Sequence, residues 1–304
     1  MRFEVSIRGV EFPNPVLAAS GTFGFGWEFS RVANRLGGVV TKGVTLEPRA
    51  GNPPPRIAET ASGVVNSVGL ENPGVQVFKE KIVPHLARLK CPVLVNLAGG
   101  SGDEFCRLTE LLEETPIAGL ELNLSCPNVK EGGVVFGQNP HRVAEVTAAV
   151  RRRTGKLLVV KLTANFIDPR ETAKAAEAEG ADAVSLINTL FALVLDEEGN
   201  PLLGGRTGGL SGPAIKPFAL FCVERVAGAV KIPVIGIGGI KTGRDAFEFI
   251  CAGAHLVQVG AANLIRPDAA VEVVKGLREI GRGQGWRRWE EVRGKARKGE
   301  LRGK

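Results

Sequence analysis

Short runs of Val, Ile and Leu, bounded by Gly, Pro or Asn, recur along the chain. Eight are convincing: residues 15–20 (PVLAAS), 37–43 (GGVVTKG), 92–98 (PVLVNLA), 119–125 (GLELNLS), 157–163 (LLVVKLT), 183–188 (AVSLIN), 233–239 (PVIGIGG) and 256–260 (LVQVG). Their apolar positions are nearly continuous rather than alternating, which suits parallel strands buried on both faces. Between most of them lie amphipathic segments, such as 140–155, 168–180 and 243–253, and Asp168–Pro169 predicts a helix cap followed by a first-turn proline. Strand and helix alternating eight times is the plan of an α/β fold, the (β/α)8 TIM barrel. The segment MRFEVSIRGVEF ahead of the first run predicts a hairpin that closes the bottom of the barrel.

Two connections are too long for simple crossovers. Residues 44–91 and 189–232 predict long loops inserted at the C-terminal face, where barrels carry their function, and DEEGNPLLGG (196–205) predicts a hairpin within the second.

Composition narrows the class. The chain has 304 residues, 44% of them hydrophobic, too apolar for disorder, and no apolar run approaches the ~18 residues a membrane helix needs. The N-terminus has no apolar stretch of the signal-peptide kind, so a cytoplasmic location is expected. Five cysteines without a CxxC pair predict neither disulfides nor a zinc or iron–sulfur site, so no metal is expected. The net charge of +7 is concentrated: residues 281–304 hold nine Lys or Arg and three Glu, or +6, which divides the chain into a body of residues 1–280 and a basic C-terminal tail of residues 281–304. A near-neutral body argues against nucleic acid as a partner. Trp286 and Trp289 in the tail are anchors for the body or for a partner.

Barrel active sites are assembled from residues at the carboxyl ends of the strands. Those ends hold Ser20, Lys42–Gly43, Asn96, Asn123, Ser125–Cys126, Lys161, Asn188–Thr189, Gly238–Gly239 and Gly260. Two lysines at a barrel mouth predict an anionic or electron-rich ligand beside them. Glycines after the seventh and eighth strands, Gly238–Gly239 and Gly260 before Ala261, fall where barrels bind a phosphate through backbone N–H groups. A thiol at a strand end, Cys126, is a candidate nucleophile or base. Cys91, Cys106, Cys222 and Cys251 fit buried, inert positions, and none of the three histidines sits at a strand end, so a Ser–His–Asp or Cys–His arrangement is unsupported.

Seven motifs, TKGVT (41–45), NSVGLENPG (66–74), NLSCPN (123–128), VKL (160–162), INT (187–189), GGLSGPAIKP (208–217) and GIGGI (236–240), together resemble those of the dihydroorotate dehydrogenase family, in matching order over about residues 1–280. Cys126 in place of serine is similar to class 1, and NVKEGG (128–133) resembles the class 1B branch. The resemblance implies an FMN-binding catalytic domain that oxidises (S)-dihydroorotate to orotate in pyrimidine biosynthesis. It assigns FMN binding to Ser20, Lys42, Gly43, Asn96, Asn123, Lys161, Ile187, Gly212, Gly238, Gly239, Gly260 and Ala261. Substrate binding falls to Lys42, Asn66, Ser67, Val68, Gly69, Leu70, Asn123, Asn188 and Thr189, and the base is Cys126. Class 1B membership further implies a homodimer core joined, as a heterotetramer, to a second subunit that carries FAD and a [2Fe–2S] cluster and passes electrons to NAD. The family often has Thr or Ser where this chain has Ala261, so a phosphate there would keep the backbone N–H and lose a hydroxyl. Rival readings are a stand-alone, fumarate-linked class 1A enzyme, an FMN-dependent tRNA dihydrouridine synthase, and a non-enzymatic phosphate-binding barrel.

Overall fold

A computed structural model describes residues 3–124 and 136–298. The eight expected strands form a closed, all-parallel barrel: β3 (Val16–Ala18), β4 (Gly38–Val40), β7 (Val93–Leu97), β8 (Gly119–Asn123), β9 (Leu157–Lys161), β10 (Ala183–Leu186), β13 (Val234–Ile237) and β14 (Leu256–Val259). Each neighbours the next in chain order, and β14 closes on β3 through the pairing Val257↔Val16. Residues such as Val95, Leu120, Val160, Val184 and Val257 face outward and pack with helix residues Phe105, Val146, Ala176, Val223 and Phe249 in one buried cluster. The helices begin where the sequence places them. Pro140–Arg151 starts after the Asn139 cap, and Asp168 caps Pro169–Ala178 by accepting from the Arg170 N–H.

The expected N-terminal hairpin is β1 (Val5–Ile7) paired with β2 (Val10–Phe12). Its apolar side chains, Val5, Ile7 and Phe12, lie against the inward residues Leu17, Val40, Leu94, Leu157, Val159, Ala183, Ile235 and Leu256 and close the lower end of the barrel. Asp182, at the start of β10, fastens the hairpin by accepting from Arg8 and Arg151, both at 2.8 Å.

The two long insertions are not separate loops. Strands β5 (Ile57–Thr60) and β6 (Gly63–Asn66) from the first join β11 (Leu190–Ala192) and β12 (Gly208–Ser211) from the second in one antiparallel sheet of order β11-β12-β6-β5. The turn expected over 196–205 closes through the bridge Leu195↔Pro201 and lies within the longer β11–β12 connection.

Residues 281–298 of the basic tail do not detach from the body. The helix Ala269–Gly283 runs across residue 281, and Trp289, 3% exposed, meets Phe3 edge-on at 5.3 Å while Trp286 stacks on Phe247 at 5.1 Å. Both tryptophans therefore anchor on the barrel body.

His255 enters β14 half-buried, Nδ1 accepting the Val234 N–H at 3.2 Å. Burial, helped by the Arg293 cation, pushes its pKa from 6.5 down to about 4. The unfolded chain therefore takes up a proton that the folded chain refuses as the pH falls from about 6.5 to about 4. The contribution is intact above pH 6.5 and lost progressively on acidification, by about 3 kcal/mol at most. Melting temperatures measured across this window should fall for the native chain and fall less for His255→Asn.

Candidate active site

Successive side chains of a strand point to opposite faces. The residues two positions beyond the apolar floor are thus the next to face inward, and on four strands they are buried and polar: Asn96 above Leu94, Lys161 above Val159, Ser185 above Ala183 and Gln258 above Leu256. Glu121, two beyond Gly119, completes the layer and is 0% exposed. Its carboxylate accepts from Asn96 Nδ2 at 2.8 Å, Ser185 Oγ at 2.9 Å and Gln258 Nε2 at 2.8 Å. The Lys161 ammonium stands 4.0 Å from Glu121 Oε1 and donates to Ser20 Oγ at 2.9 Å.

Above this layer the structure joins the other strand-end residues predicted from sequence. Asn188 Nδ2 donates to Asn123 Oδ1 at 3.2 Å, and the Thr189 N–H returns to Asn188 Oδ1 at 2.9 Å. Ile187, buried beside them, bonds through its N–H to the Ile237 carbonyl. The segment 66–70 reaches the same mouth: a side chain at Gly43 would meet Leu70 and Asn96 Oδ1, each at 3.3 Å. Asn72 pins this segment. Its Oδ1 accepts from the N–H groups of Thr45 and Gly74, and its Nδ2 donates to Thr45 Oγ1 and the Leu70 carbonyl. Ser67 accepts from Asn52, the Asn52 N–H bonds the Val68 carbonyl, and Asn66 Nδ2 donates to the Gly209 carbonyl across the four-stranded sheet. Gly69 and Leu70 both take left-handed backbone, φ 76° and 57°.

On the seventh and eighth strands, Gly238 and Gly239 have φ 133° and 70°. A Cβ on Gly239 would lie 2.7 Å from the Gly212 carbonyl, so two of the expected cofactor glycines are in contact. Gly260 has nothing nearer to a Cβ than Ala19 at 3.7 Å, and Ala261 precedes the short helix Ala262–Ile265. Lys42 sits apart from the buried polar layer: its ammonium is 3.8 Å from Glu71 and lies over the Phe25 ring. Cys126 and its neighbour Ser125 lie outside the described residues; Gly137 bonds back to the Leu124 carbonyl at 2.9 Å, so the flanking chain departs from and returns to the end of β8.

The other cysteines carry no reactive character. Burial pushes Cys91 and Cys222 up to about 11 and raises Cys106 and Cys251 as well.

Three participants were not anticipated from sequence. Glu121, Ser185 and Gln258 are single polar residues inside apolar strands, and only the barrel register brings them together. Asn165 is a fourth: it donates to Thr163 Oγ1 and to the Thr189 carbonyl and accepts the Phe191 N–H, tying the end of β9 to the segment after β10.

The arrangement is a barrel mouth with a buried cation, amide side chains that both donate and accept, and bare glycine backbone after the last strand. Such a site suits an electron-rich planar ligand carrying an anionic group.

Residues 2–280 match the family model described as Dihydroorotate dehydrogenase. The chain is 52% identical over 296 residues to the protein of Desulforudis audaxviator named dihydroorotate dehydrogenase B (NAD(+)), catalytic subunit, covering 96% of each. It is also 52% identical over 278 residues to the protein of the same name from Alkaliphilus oremlandii, covering 90% of this chain and 92% of that one. A crystal structure of DHODH in complex with ferulenol from Eimeria tenella superposes with a TM-score of 0.81 at 24% identity, over 98% of this chain and 89% of the other, a likeness of fold.

Proposed function

The chain belongs to the dihydroorotate dehydrogenase family, and from that membership we propose that it oxidises (S)-dihydroorotate to orotate in pyrimidine biosynthesis, as the FMN-bearing catalytic subunit of an NAD-linked enzyme. The observation that carries the reading is the enclosed Lys161 ammonium, bonded to Ser20 at the mouth of a barrel whose rim holds Asn66, Asn123, Asn188 and Thr189. The residues fit the flavin. Gln258 Oε1 is buried without a partner among the described residues, an acceptor awaiting a donor, and Gly260 leaves backbone bare where a phosphate would approach. Ser20, Lys42, Gly43, Asn96, Asn123, Lys161, Ile187, Gly212, Gly238, Gly239, Gly260 and Ala261 would hold one FMN per chain. Bound FMN supplies the hydride acceptor.

The chain's own residues do the rest. Lys161 would set a buried cation against the negative charge that hydride transfer brings into the site. Asn66, Ser67, Asn123, Asn188 and Thr189, with the backbone of Val68, Gly69 and Leu70, provide paired donors and acceptors for a cyclic imide, and Lys42 provides a cation for its carboxylate. Cys126, from the NLSCPN motif, takes the proton.

Residues 1–280 form the FMN-binding unit in this reading. A homodimer of such chains passes its electrons to NAD through a partner subunit bearing FAD and a [2Fe–2S] cluster, in the cytoplasm. Among the described residues no helix is long and apolar enough to cross a membrane.

The test is anaerobic. The purified chain, loaded with FMN, should bleach on adding dihydroorotate and should not be reoxidised by fumarate or by NAD without the partner. Reoxidation by fumarate would make it a class 1A enzyme, and no bleaching would overturn the substrate assignment. Positioning by Asn165 gives a second expectation: Asn165→Ala releases Thr189 and should raise KM for dihydroorotate about tenfold, the equivalent of one or two hydrogen bonds, with kcat within about threefold. Steady-state kinetics at saturating acceptor check it; an unchanged KM would remove Asn165 from the site.

A further inference from the structure

Glu121 has no part in the chemistry just described, yet its carboxylate is fully enclosed in the barrel directly below the mouth. The three groups that bond to it come from β7, β10 and β14, and all three are donors. A carboxylate in its ionised form only accepts, and each of these three contacts brings it a donor. A charge so enclosed is costly without compensation, and the compensating group is the Lys161 ammonium, itself 6% exposed. The same bonds set two amides. With Asn96 Nδ2 given to Glu121, Asn96 Oδ1 is turned toward Gly43 at the mouth. With Gln258 Nε2 given to Glu121, Gln258 Oε1 remains the buried acceptor without a partner.

We infer that Glu121 is a positioning residue for the flavin: its carboxylate counterbalances the Lys161 ammonium, so setting the redox potential of the bound flavin, and it fixes which atoms of Asn96 and Gln258 are offered to the ring. The inference rests on the flavin reading above. A cation that stabilises negative charge on a reduced ring makes reduction easier, and a carboxylate 4.0 Å from that cation diminishes its field. Lys161 has a second bond, to Ser20 Oγ, that does not involve the carboxylate.

The experiment measures the flavin midpoint potential by equilibrium dye titration in the FMN-loaded protein, for the native chain, Glu121→Gln, Lys161→Met and the double variant. Glu121→Gln should shift the two-electron equilibrium about tenfold toward reduced flavin, a rise of about 30 mV. In the Lys161→Met background the same substitution should give less than a third of that shift, because Glu121 acts through the lysine. An unmoved or lowered potential in Glu121→Gln, or a full shift that persists without Lys161, would overturn the inference. Should Glu121→Gln fail to fold, Ser185→Ala removes one donor from the carboxylate and leaves its charge less shielded; the same equilibrium should then shift about threefold toward oxidised flavin, and no change would count against the role. FMN content and bleaching by dihydroorotate are recorded in the native preparation. If that protein neither holds FMN nor bleaches, the function reading fails and the inference falls with it; if it bleaches while the Glu121→Gln potential is unmoved, only the role of Glu121 fails.

Discussion

Replacing Lys161 by methionine should slow flavin reduction by dihydroorotate about 10²- to 10³-fold, the usual cost of deleting one preorganised group that meets developing negative charge. The side chain is enclosed, and its described polar neighbours are Ser20 Oγ at 2.9 Å and Glu121 at 4.0 Å. Water has no ready way to substitute for the ammonium, and methionine fills most of its volume without a charge. The substitution leaves Glu121 with three neutral donors and no cation, so some stability is lost as well. Anaerobic stopped-flow bleaching, recorded below the melting temperature of the variant, separates the two effects. A bleaching rate within about threefold of native would remove Lys161 from the reaction.

Cys126→Ser should be as severe. A positioned base contributes roughly 10²- to 10⁴-fold, and a serine hydroxyl yields its proton far less readily than a thiol, so turnover at neutral pH should fall by at least about 10² while FMN stays bound. The native enzyme should gain activity as the pH rises and the thiolate fraction grows. The serine variant should recover only at still higher pH. Pre-steady-state bleaching as a function of pH tests both, and undiminished turnover of the variant would reassign the base.

The barrel was legible because its strands are written as eight apolar runs with glycine, proline or asparagine at their ends, and every run became a strand. The strand-end reading found Ser20, Asn96, Asn123, Lys161 and Asn188, which the structure links pairwise or through Glu121. The polar layer itself was hidden. Glu121 in GLELN, Ser185 in AVSLI and Gln258 in LVQV are each a lone polar residue in an apolar strand, separated from one another by 64 to 137 positions. The signal that would have found them is the period of two: each lies two residues from another inward position on its strand. The four-stranded sheet was unreadable for a different reason. Its strands are only three or four residues long, and its central pairing, Gly209↔Asn66, spans more than a hundred residues of chain. In the tail, charge concealed packing, since Trp289 is buried among residues the lysines and arginines outnumber.

That sheet bears on how the protein tolerates change. Because β6 and β12 pair at Asn66↔Gly209, a slip of one residue in the register of β6 would turn Asn66 to the opposite face of the sheet. The two insertions, so distant in the sequence, form one structural module. A graft of either from another barrel would have to bring its mate with it, and recombination within the family should exchange them together.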